Sequence, residues 1–566
     1  MDTANWDHTT DFLVVGSGGG GMTGAITAAD AGADVLVVEK TEQYGGTTSM
    51  SGGVIWVPNN HLMKAAGIDD SEAEAWQYLE RVTAGEVSEE RLRAYIEKAP
   101  EMLLALERSG DVKFAAAVTY MDYYPEFPGG KPGGRSLEPA PFSARKLDGR
   151  EPQQRASHQG KIMKISMTAG EGRKLVNFTW RSWLVLARLM LRYYLDIPSR
   201  LRGLPDNRMT FGRSLGAQLR AALARRDIPL WLNTSFQELV LEQGVVVGAV
   251  VQRGQERLRI RARRGVLLAA GGFDHNEALR RKHHPAGWQP GWAAGNPGNT
   301  GDAITAGTDV GAALEFMHCA WWTPTYLMPD GHAEALIAGK SMPGSIFVNA
   351  LGERFANEAA PYEDLVKAQF AAHSDSSSTV PCYMVVDATY RNKYPIGPVG
   401  PGKAMPDELI PGELKRAGFL RRADTLEELA GLLGIDEAGL SRTVARFNQF
   451  AVDGKDPDFG RGDSLHDRYY SDPSVAPNPS LAPLQKAPFY AIQIQAGDLG
   501  TKGGLKTDAN GAVLDQQDAI IPGLYAAGNC SGAVMGNSYP GAGSTIGPAM
   551  TFAWLAAQHA MSDQVQ

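Results

Sequence analysis

The chain is 566 residues long, 43% hydrophobic and 21% charged, with a formal net charge of −8. That length predicts three or more folding units with cores of ordinary size, and the negative total excludes a global attraction to nucleic acid or acidic lipid, so any basic contact has to be local. Three cysteines, Cys319, Cys382 and Cys530, stand far apart without CxxC spacing, which argues against a disulfide framework or a zinc site and fits a reducing compartment. No HExxH or EF-hand spacing occurs, so no metal is expected, and His318 and the His283-His284 pair read as packing or surface residues. Strand-like sequence begins by about residue 11, leaving no room for a signal peptide, and no uncharged apolar stretch is long enough to span a bilayer. The cytoplasm is the expected location.

In chain order, the first signal is DFLVVGSGGGGMTGAITAADAGADVLVVEK at 11–40. An apolar run leads into Gly16-x-Gly18-x-x-Gly21, then a small-residue helix, then a second apolar run ending in Glu39. Strand, tight turn, helix, strand and an acid about twenty residues on is the order a dinucleotide-binding unit requires. Gly16 permits the turn, Gly18 lets the backbone approach a pyrophosphate, and Gly21 lets helix and strand pack closely. The helix N-terminus offers N–H groups to the phosphates, and Glu39 can accept from ribose hydroxyls. Ser17 and Lys40 complete this part of the expected site.

The segment after Glu39, with Gly45, Gly46, Thr47, Thr48, Ser51, Gly52 and Gly53, can wrap a second stretch of a long cofactor. Residues 141–212 read as an insert containing VNFTWRSWLVLARLMLRYYLDIP. On a helical wheel Lys174, Arg181, Arg188 and Arg192 form a narrow basic stripe, and Trp180, Trp183, Leu184, Leu186, Ala187, Met190, Leu191 and Tyr194 cover most of the remainder. Arg200, Arg202 and Arg208 follow. A wide apolar face with tryptophans and a basic strip fits either a helix lying in a membrane interface across 175–198 or a helix buried in a protein interface.

From about 213 a helix (SLGAQLRAALARR) and strands resume, ending in GVLLAAGG at 265–272 with Ala270 and Gly271. NTGDAITAGTDVGAAL at 299–314 is a turn and helix that can return Asp302 to the nucleotide domain. Residues 320–487 are richer in Pro, aromatics and charge and read as a separate cap. Near the C-terminus a strand and glycine turn carry Gly528 and Asn529, and SYPGAGSTIGPAM opens a final helix with Thr545 and Ile546 at its start, where N–H groups favour negative charge on a flavin. Several glycine turns beside apolar strands, drawn from both chain ends, select FAD, held non-covalently, over a nicotinamide. The expected fold class is α/β. A Rossmann-like FAD-binding domain in three parts (1–140, 213–319, 488–566) carries an α+β catalytic cap (320–487) and a helical insert (141–212).

Four motifs define a resemblance. Asp122-Tyr123-Tyr124, Asn357-Glu358-x-x-Pro361-Tyr362, Asp498-Leu499-Gly500-Thr501-Lys502-Gly503-Gly504 and Tyr539-Pro540-Gly541-x-Gly543 make the chain, apart from the insert, resemble the succinate dehydrogenase/fumarate reductase type of FAD enzyme. Within that superfamily it is similar to the 3-ketosteroid Δ1-dehydrogenases. The resemblance implies an active site of Tyr123, Tyr362, Tyr539 and Gly543. Removing two hydrogens next to a ketone needs donors at the carbonyl oxygen, for which Tyr539 and the Gly543 N–H are expected, and a base at the alpha carbon, for which Tyr362 assisted by Tyr123 is expected. Two relatives remain as alternatives, the 3-ketosteroid Δ4-dehydrogenases and fumarate reductase-like flavoproteins. The first lack the early-loop tyrosine and carry a serine shortly after the YP tyrosine, where this chain has Gly541. The second need cationic groups, whereas the matching regions here are aromatic and small. A 3-ketosteroid substrate, a quinone or other electron acceptor and docking on the inner face of the cell membrane are the implied partners. The oligomeric state stays open.

Overall fold

The computed structural model describes residues 6–157, 161–162, 165–176, 180–201 and 206–562. The chain opens with strand β1 (His8–Val15), helix α1 (Gly19–Asp30) and strand β2 (Val35–Val38), followed by the short strand β3 (Ile55–Trp56). Two helices follow in the middle segment, α2 (Ala169–Val176) and α3 (Trp180–Leu195). Helix α4 (Phe211–Arg225) precedes strands β4 (Leu230–Trp231), β5 (Thr234–Glu242), β6 (Val245–Arg253) and β7 (Glu256–Leu268), then helix α5 (Asp302–Asp309).

The first sheet orders these strands β4-β2-β1-β7-β6-β5. β1 pairs in parallel with β2 and with β7, while β6 and β5 continue antiparallel. The apolar run of β1 is buried on both faces because its side chains alternate. Phe12 and Val14 enter one core with Val35 and Val37, and Leu13 and Val15 enter the opposite core with Leu36 and Val38. Such a sheet is the α/β arrangement that the sequence implies.

A second sheet follows. Strands β8 (Ala320–Leu327), β9 (Ala333–Ala335) and β10 (Ser345–Val348) lead to helix α6 (Tyr362–Ala371). Strands β11 (Cys382–Val386) and β12 (Arg421–Ala423) and helices α7 (Leu426–Leu433) and α8 (Glu437–Asp453) precede the long strand β13 (Phe489–Thr501). The order is β9-β8-β13-β11-β10, with β12 also on β13, and every pairing is antiparallel. Residues 489–501 thus form the central strand of this sheet, beyond residue 487, where the sequence expectation ended the cap. Strands β14 (Ala512–Leu514) and β15 (Ile520–Ala526) then return to the first sheet, β15 lying parallel to β7, and the buried, alanine-rich helix α9 (Ile546–Met561) packs against α1. Small residues on α1 permit this approach; a Cβ on Gly20 would lie 2.7 Å from the Ala549 carbonyl oxygen of α9.

The middle segment corrects the helical-wheel expectation. α2 and α3 are separate helices packed on each other, and the Ser182 hydroxyl donates to the Lys174 carbonyl at 2.6 Å. Eight residues of continuous helix would hold those positions about 12 Å apart, so Lys174 shares no stripe with Arg188 and Arg192. Arg192 turns inward, donating to the Ser166 carbonyl and the Asp206 carboxylate. Arg208 pairs with Glu171, and Arg200 lies 3.7 Å from the Tyr193 ring centroid. Arg202 and the side chains of Trp180 and Arg181 lie outside the described residues.

The loop between residues 117 and 135 is anchored by a buried charge network. Arg135, fully buried, makes two bonds to Asp70 at 2.7 and 2.8 Å and one to Asp122 at 2.8 Å, and Asp122 also accepts from the Trp56 indole at 2.7 Å. Arg135→Met leaves two buried carboxylates without their counter-charge, an arrangement that destabilises by about 3–5 kcal/mol. Denaturant unfolding should register that loss, and a midpoint equal to the native one would contradict it.

Candidate active site

At the end of β1 the chain turns at Gly16, whose φ is +103°; a Cβ there would meet the Ala269 carbonyl oxygen at 2.4 Å. A Cβ on Gly21 would lie 2.1 Å from the Gly16 carbonyl oxygen, so helix and turn can pack this closely only as glycines. Gly18 faces open space, with Thr48 Oγ1 at 3.8 Å the nearest atom, and open space there is what a pyrophosphate approaching the backbone needs. Thr48 Oγ1 accepts from the Gly19 N–H at 3.0 Å at the start of α1. Glu39, at the tip of β2, is held by four bonds, from the Ser17 amide and hydroxyl and from the Thr41 amide and hydroxyl.

These groups open on one cavity of about 1120 Å³. All the residues expected at the cofactor line it except Gly21, which sits behind the turn. Ser17, Lys40, Gly46, Thr47, Gly52 and Gly53 come from the first part of the chain, Ala270, Gly271 and Asp302 from the middle, and Gly528, Asn529, Thr545 and Ile546 from the end. Lys40 binds Asp302 at 2.8 Å and Thr300 at 2.6 Å, which joins the β2 end to the start of α5. Thr47 Oγ1 accepts from the Asn296 amide at 3.0 Å and the Asn299 side chain at 3.1 Å. A long cavity lined by glycine turns, hydroxyls and an oriented acid fits FAD. The described residues contain no cluster of three or more metal-ligating side chains, and His284 is wedged between Phe273 and Trp322, where burial pushes its pKa down to about 2.

Three buried tyrosines converge on one wall of this cavity, each from a different segment. Tyr123 comes from the anchored loop, Tyr362 is the first residue of α6, and Tyr539 precedes the turn before α9. Their ring centroids stand 5.1–5.4 Å apart. The Tyr123 hydroxyl donates to the Tyr362 hydroxyl at 3.0 Å, and the Tyr539 hydroxyl lies 3.4 Å from Thr545 Oγ1. Burial raises the pKa of all three phenols, while the bond from Tyr123 acts the other way on Tyr362, favouring its ionised form.

Gly543 lines the same wall with φ +98°, and no acceptor among the described residues takes its N–H. A Cβ at Gly543 would come within 2.6 Å of the Ile55–Trp56 backbone, and one at Gly541 would lie 2.7 Å from the Trp56 indole. The turn is tied to the loop through the Pro540 carbonyl, which accepts from the Tyr123 amide at 2.9 Å and the Tyr78 hydroxyl at 2.5 Å. The loop is tied to α6 by Tyr124, whose hydroxyl donates to Asp364 at 2.9 Å. Pro361 before the helix and the acids Glu363 and Asp364 in its first turn explain why α6 begins at Tyr362.

Sequence reasoning missed several neighbours. Trp321 stacks edge-on against Tyr539 at 5.0 Å and donates to Asn529 at 3.1 Å. His466 packs against Tyr123 at 5.0 Å, and Tyr120 and Tyr470 share a 2.8 Å hydrogen bond at the edge of the cluster. No spacing rule points to them, because they come to the tyrosines from separate segments of the chain; Tyr120 and Tyr470 line the cavity, whereas Trp321 and His466 pack against the tyrosine rings. Asn357 and Glu358, by contrast, belong to a motif but serve the scaffold, bonding Asp467 and the Arg354–Arg461 pair.

With this geometry in view, the comparisons with known proteins are informative. Residues 11–546 match the family described as FAD binding domain. The chain is 41% identical to a 3-oxosteroid 1-dehydrogenase of Mycobacterium tuberculosis over 98% of both chains. It is 34% identical to a 4-oxocyclohexanecarboxylate 2-dehydrogenase of Sinomonas cyclohexanicum over 97% of this chain and 92% of that one. Among solved structures, the 3-ketosteroid Δ1-dehydrogenase of Sterolibacterium denitrificans in complex with 1,4-androstadiene-3,17-dione superposes with a TM-score of 0.94 at 44% identity, covering 98% of this chain and 99% of that one. The chain therefore belongs to the FAD-binding flavoproteins and, within them, to the 3-oxosteroid 1-dehydrogenase family.

Proposed function

We infer that the protein is an FAD-dependent 3-ketosteroid Δ1-dehydrogenase, which introduces a C1–C2 double bond into the steroid A ring. One observation carries the reading most directly: three phenols and an unengaged glycine N–H line one wall of the cavity. In the proposed mechanism the Tyr539 hydroxyl and the Gly543 N–H donate to the 3-keto oxygen, which gains negative charge as the C2 proton leaves. Tyr362 takes that proton. Tyr123 donates to the Tyr362 oxygen and so stabilises the phenolate that abstraction requires. Bound FAD supplies the hydride acceptor for C1 at its N5. The phenol rings also give apolar surface to a flat polycyclic substrate while keeping one polar tip each.

A substrate bearing a carboxylate fits less well. Among the described residues lining the cavity, Lys40 is the only lysine or arginine, and it is paired with Asp302. That wall lacks the cations that fumarate or a ring carboxylate would need.

We further propose that α3 docks the enzyme on a lipid surface. No helix among the described residues is long and apolar enough to cross a membrane. Ser182 and Leu189 point inward, while Trp183, Leu184, Leu191, Tyr194 and Leu195 are each at least 60% exposed. At 100° per residue the exposed group spans an arc of about 120°, an outward apolar face suited to the headgroup boundary. Met167, Thr168 and Gly172, beside or within α2, line the cavity, so the helix pair stands at its wall. Steroid dissolved in a bilayer would reach the cavity from that side, and a quinone acceptor would be available in the same medium.

Tyr362→Phe keeps the ring and removes the proton acceptor, so steroid turnover should fall at least about a hundredfold. Tyr539→Phe should lose about 3 kcal/mol of transition-state stabilisation. Both variants should keep their flavin, and near-native turnover in either would remove that residue from the mechanism. Because the base must be unprotonated, turnover should rise toward alkaline pH. Tyr123→Phe removes the bond that eases Tyr362 ionisation and should move that rise to higher pH; an unmoved profile would contradict the assisting role.

Replacing 175–198 by a short linker should abolish co-sedimentation with anionic liposomes while FAD stays bound. Intact protein that remains in the supernatant as a dimer would assign the apolar face to a second copy instead.

A further inference from the structure

The residue after the proposed base and the residue before the proposed donor meet at one buried lysine. Glu363, second in α6, accepts at Oε1 from the Lys502 ammonium at 2.8 Å, and the side chains of both residues are fully buried. Lys502 also donates to the Ser538 carbonyl at 2.6 Å and stands 4.4 Å from the Trp321 ring centroid and 5.9 Å from that of Tyr539. A second lysine repeats the link on the outer side, since Lys367 binds the same Glu363 oxygen at 2.8 Å and the Asn537 carbonyl at 2.6 Å.

We propose that Lys502 and Glu363 form a clasp that sets the separation of Tyr362 and Tyr539, which makes Lys502 a positioning residue for the dehydrogenation. Glu363 is one residue from Tyr362 and Ser538 one residue from Tyr539, so a displacement of the ammonium moves both phenols. Lys502 does not itself reach the reacting atoms. It is outside the cavity lining, and a carboxylate, a carbonyl and an indole face occupy its surroundings. Its own backbone is fixed as well, with its amide donating to the Cys319 carbonyl and its carbonyl accepting from the Ala533 amide. Three separate segments therefore share one point charge. A fully buried ion pair adds little stability over an apolar pair of the same shape. What it supplies here is a defined distance, because the donor and its two acceptors allow only a narrow range of lengths. Proton removal and oxyanion stabilisation act on adjacent substrate atoms, and that geometry tolerates little error.

The proposal rests on the assignment of Tyr362 as base and Tyr539 as donor. The test is the double variant Lys502→Met/Glu363→Gln, which removes the charges together and leaves neither uncompensated in the core. Flavin content should match the native enzyme, while kcat for a 3-ketosteroid falls at least about tenfold, as misplacement of reacting groups does. The primary isotope effect with C2-deuterated substrate should rise, because a displaced base makes proton removal more rate-limiting; a purely structural role would only lower the fraction of active enzyme. The clasp is overturned if kcat stays within about twofold of native, or if kcat falls only in proportion to flavin content with the isotope effect unchanged. Should the double variant fail to retain FAD, Glu363→Asp, which keeps the charge and shortens its reach, is read by the same two outcomes. Tyr362→Phe in the native background separates the failures. Normal turnover there removes the assignment of roles, whereas a large loss beside an insensitive clasp variant removes only the clasp.

Discussion

A single 3.0 Å hydrogen bond, from the Tyr123 hydroxyl to the Tyr362 hydroxyl, joins residues 239 positions apart and imposes the main constraint on the structure. Both phenols are buried, and a buried hydroxyl left without a partner carries a desolvation penalty. Meeting it demands that the loop carrying Tyr123 and the start of α6 be held in register, and the C-terminal turn packs against both. Arg135 between Asp70 and Asp122 fixes the loop, the acids in its first turn fix the start of α6, and the Pro540 carbonyl fixes the turn against the Tyr123 amide. These ties are charged or backbone-to-side-chain bonds rather than loose apolar contacts, which is what a defined distance requires.

Three of the cations near the site are each neutralised by a carboxylate. Lys40 is held by Asp302, Lys502 by Glu363, and Arg280 by Asp498. The wall formed by the three tyrosines and Gly543 presents phenols and a glycine amide. Such a wall suits chemistry in which charge appears only as the reaction proceeds, since fixed neutral donors in a dry site stabilise a developing oxyanion without first having to shed bound counter-ions. The chain superposes on a flavocytochrome c3 fumarate reductase with a TM-score of 0.64 at 21% identity, a likeness of architecture alone.

The helix pair α2–α3 obeys a different rule from the rest of the molecule. Elsewhere, as in β1, apolar residues point into a core; in α3 the wider apolar arc points away from the protein. An exposed face of this kind is what the proposed docking on a lipid surface uses. It lies beside the cavity-lining residues Met167, Thr168 and Gly172.

By itself, the sequence determined the α/β class, the dinucleotide turn and the family, because these rest on local patterns. Gly16, Gly18 and Gly21 stand at spacings that only one strand-turn-helix geometry uses, and the apolar runs of β1 and β2 carry the period of a doubly buried sheet. The four tyrosine and glycine positions were legible through motifs, although nothing local says that they meet. Tertiary structure alone decided the rest. Strand β13 belongs to the second sheet because of pairings with residues more than a hundred positions away, which no local signal at 488 reveals. The basic stripe of the insert dissolved because Lys174 and Ser182 lie in two helices packed on each other, within hydrogen-bond reach, rather than on a single wheel. Lys502 looked like one residue of a glycine-rich motif until folding placed its ammonium between Glu363 and Ser538. A buried charge takes its meaning from its partners, and partners are chosen by the fold.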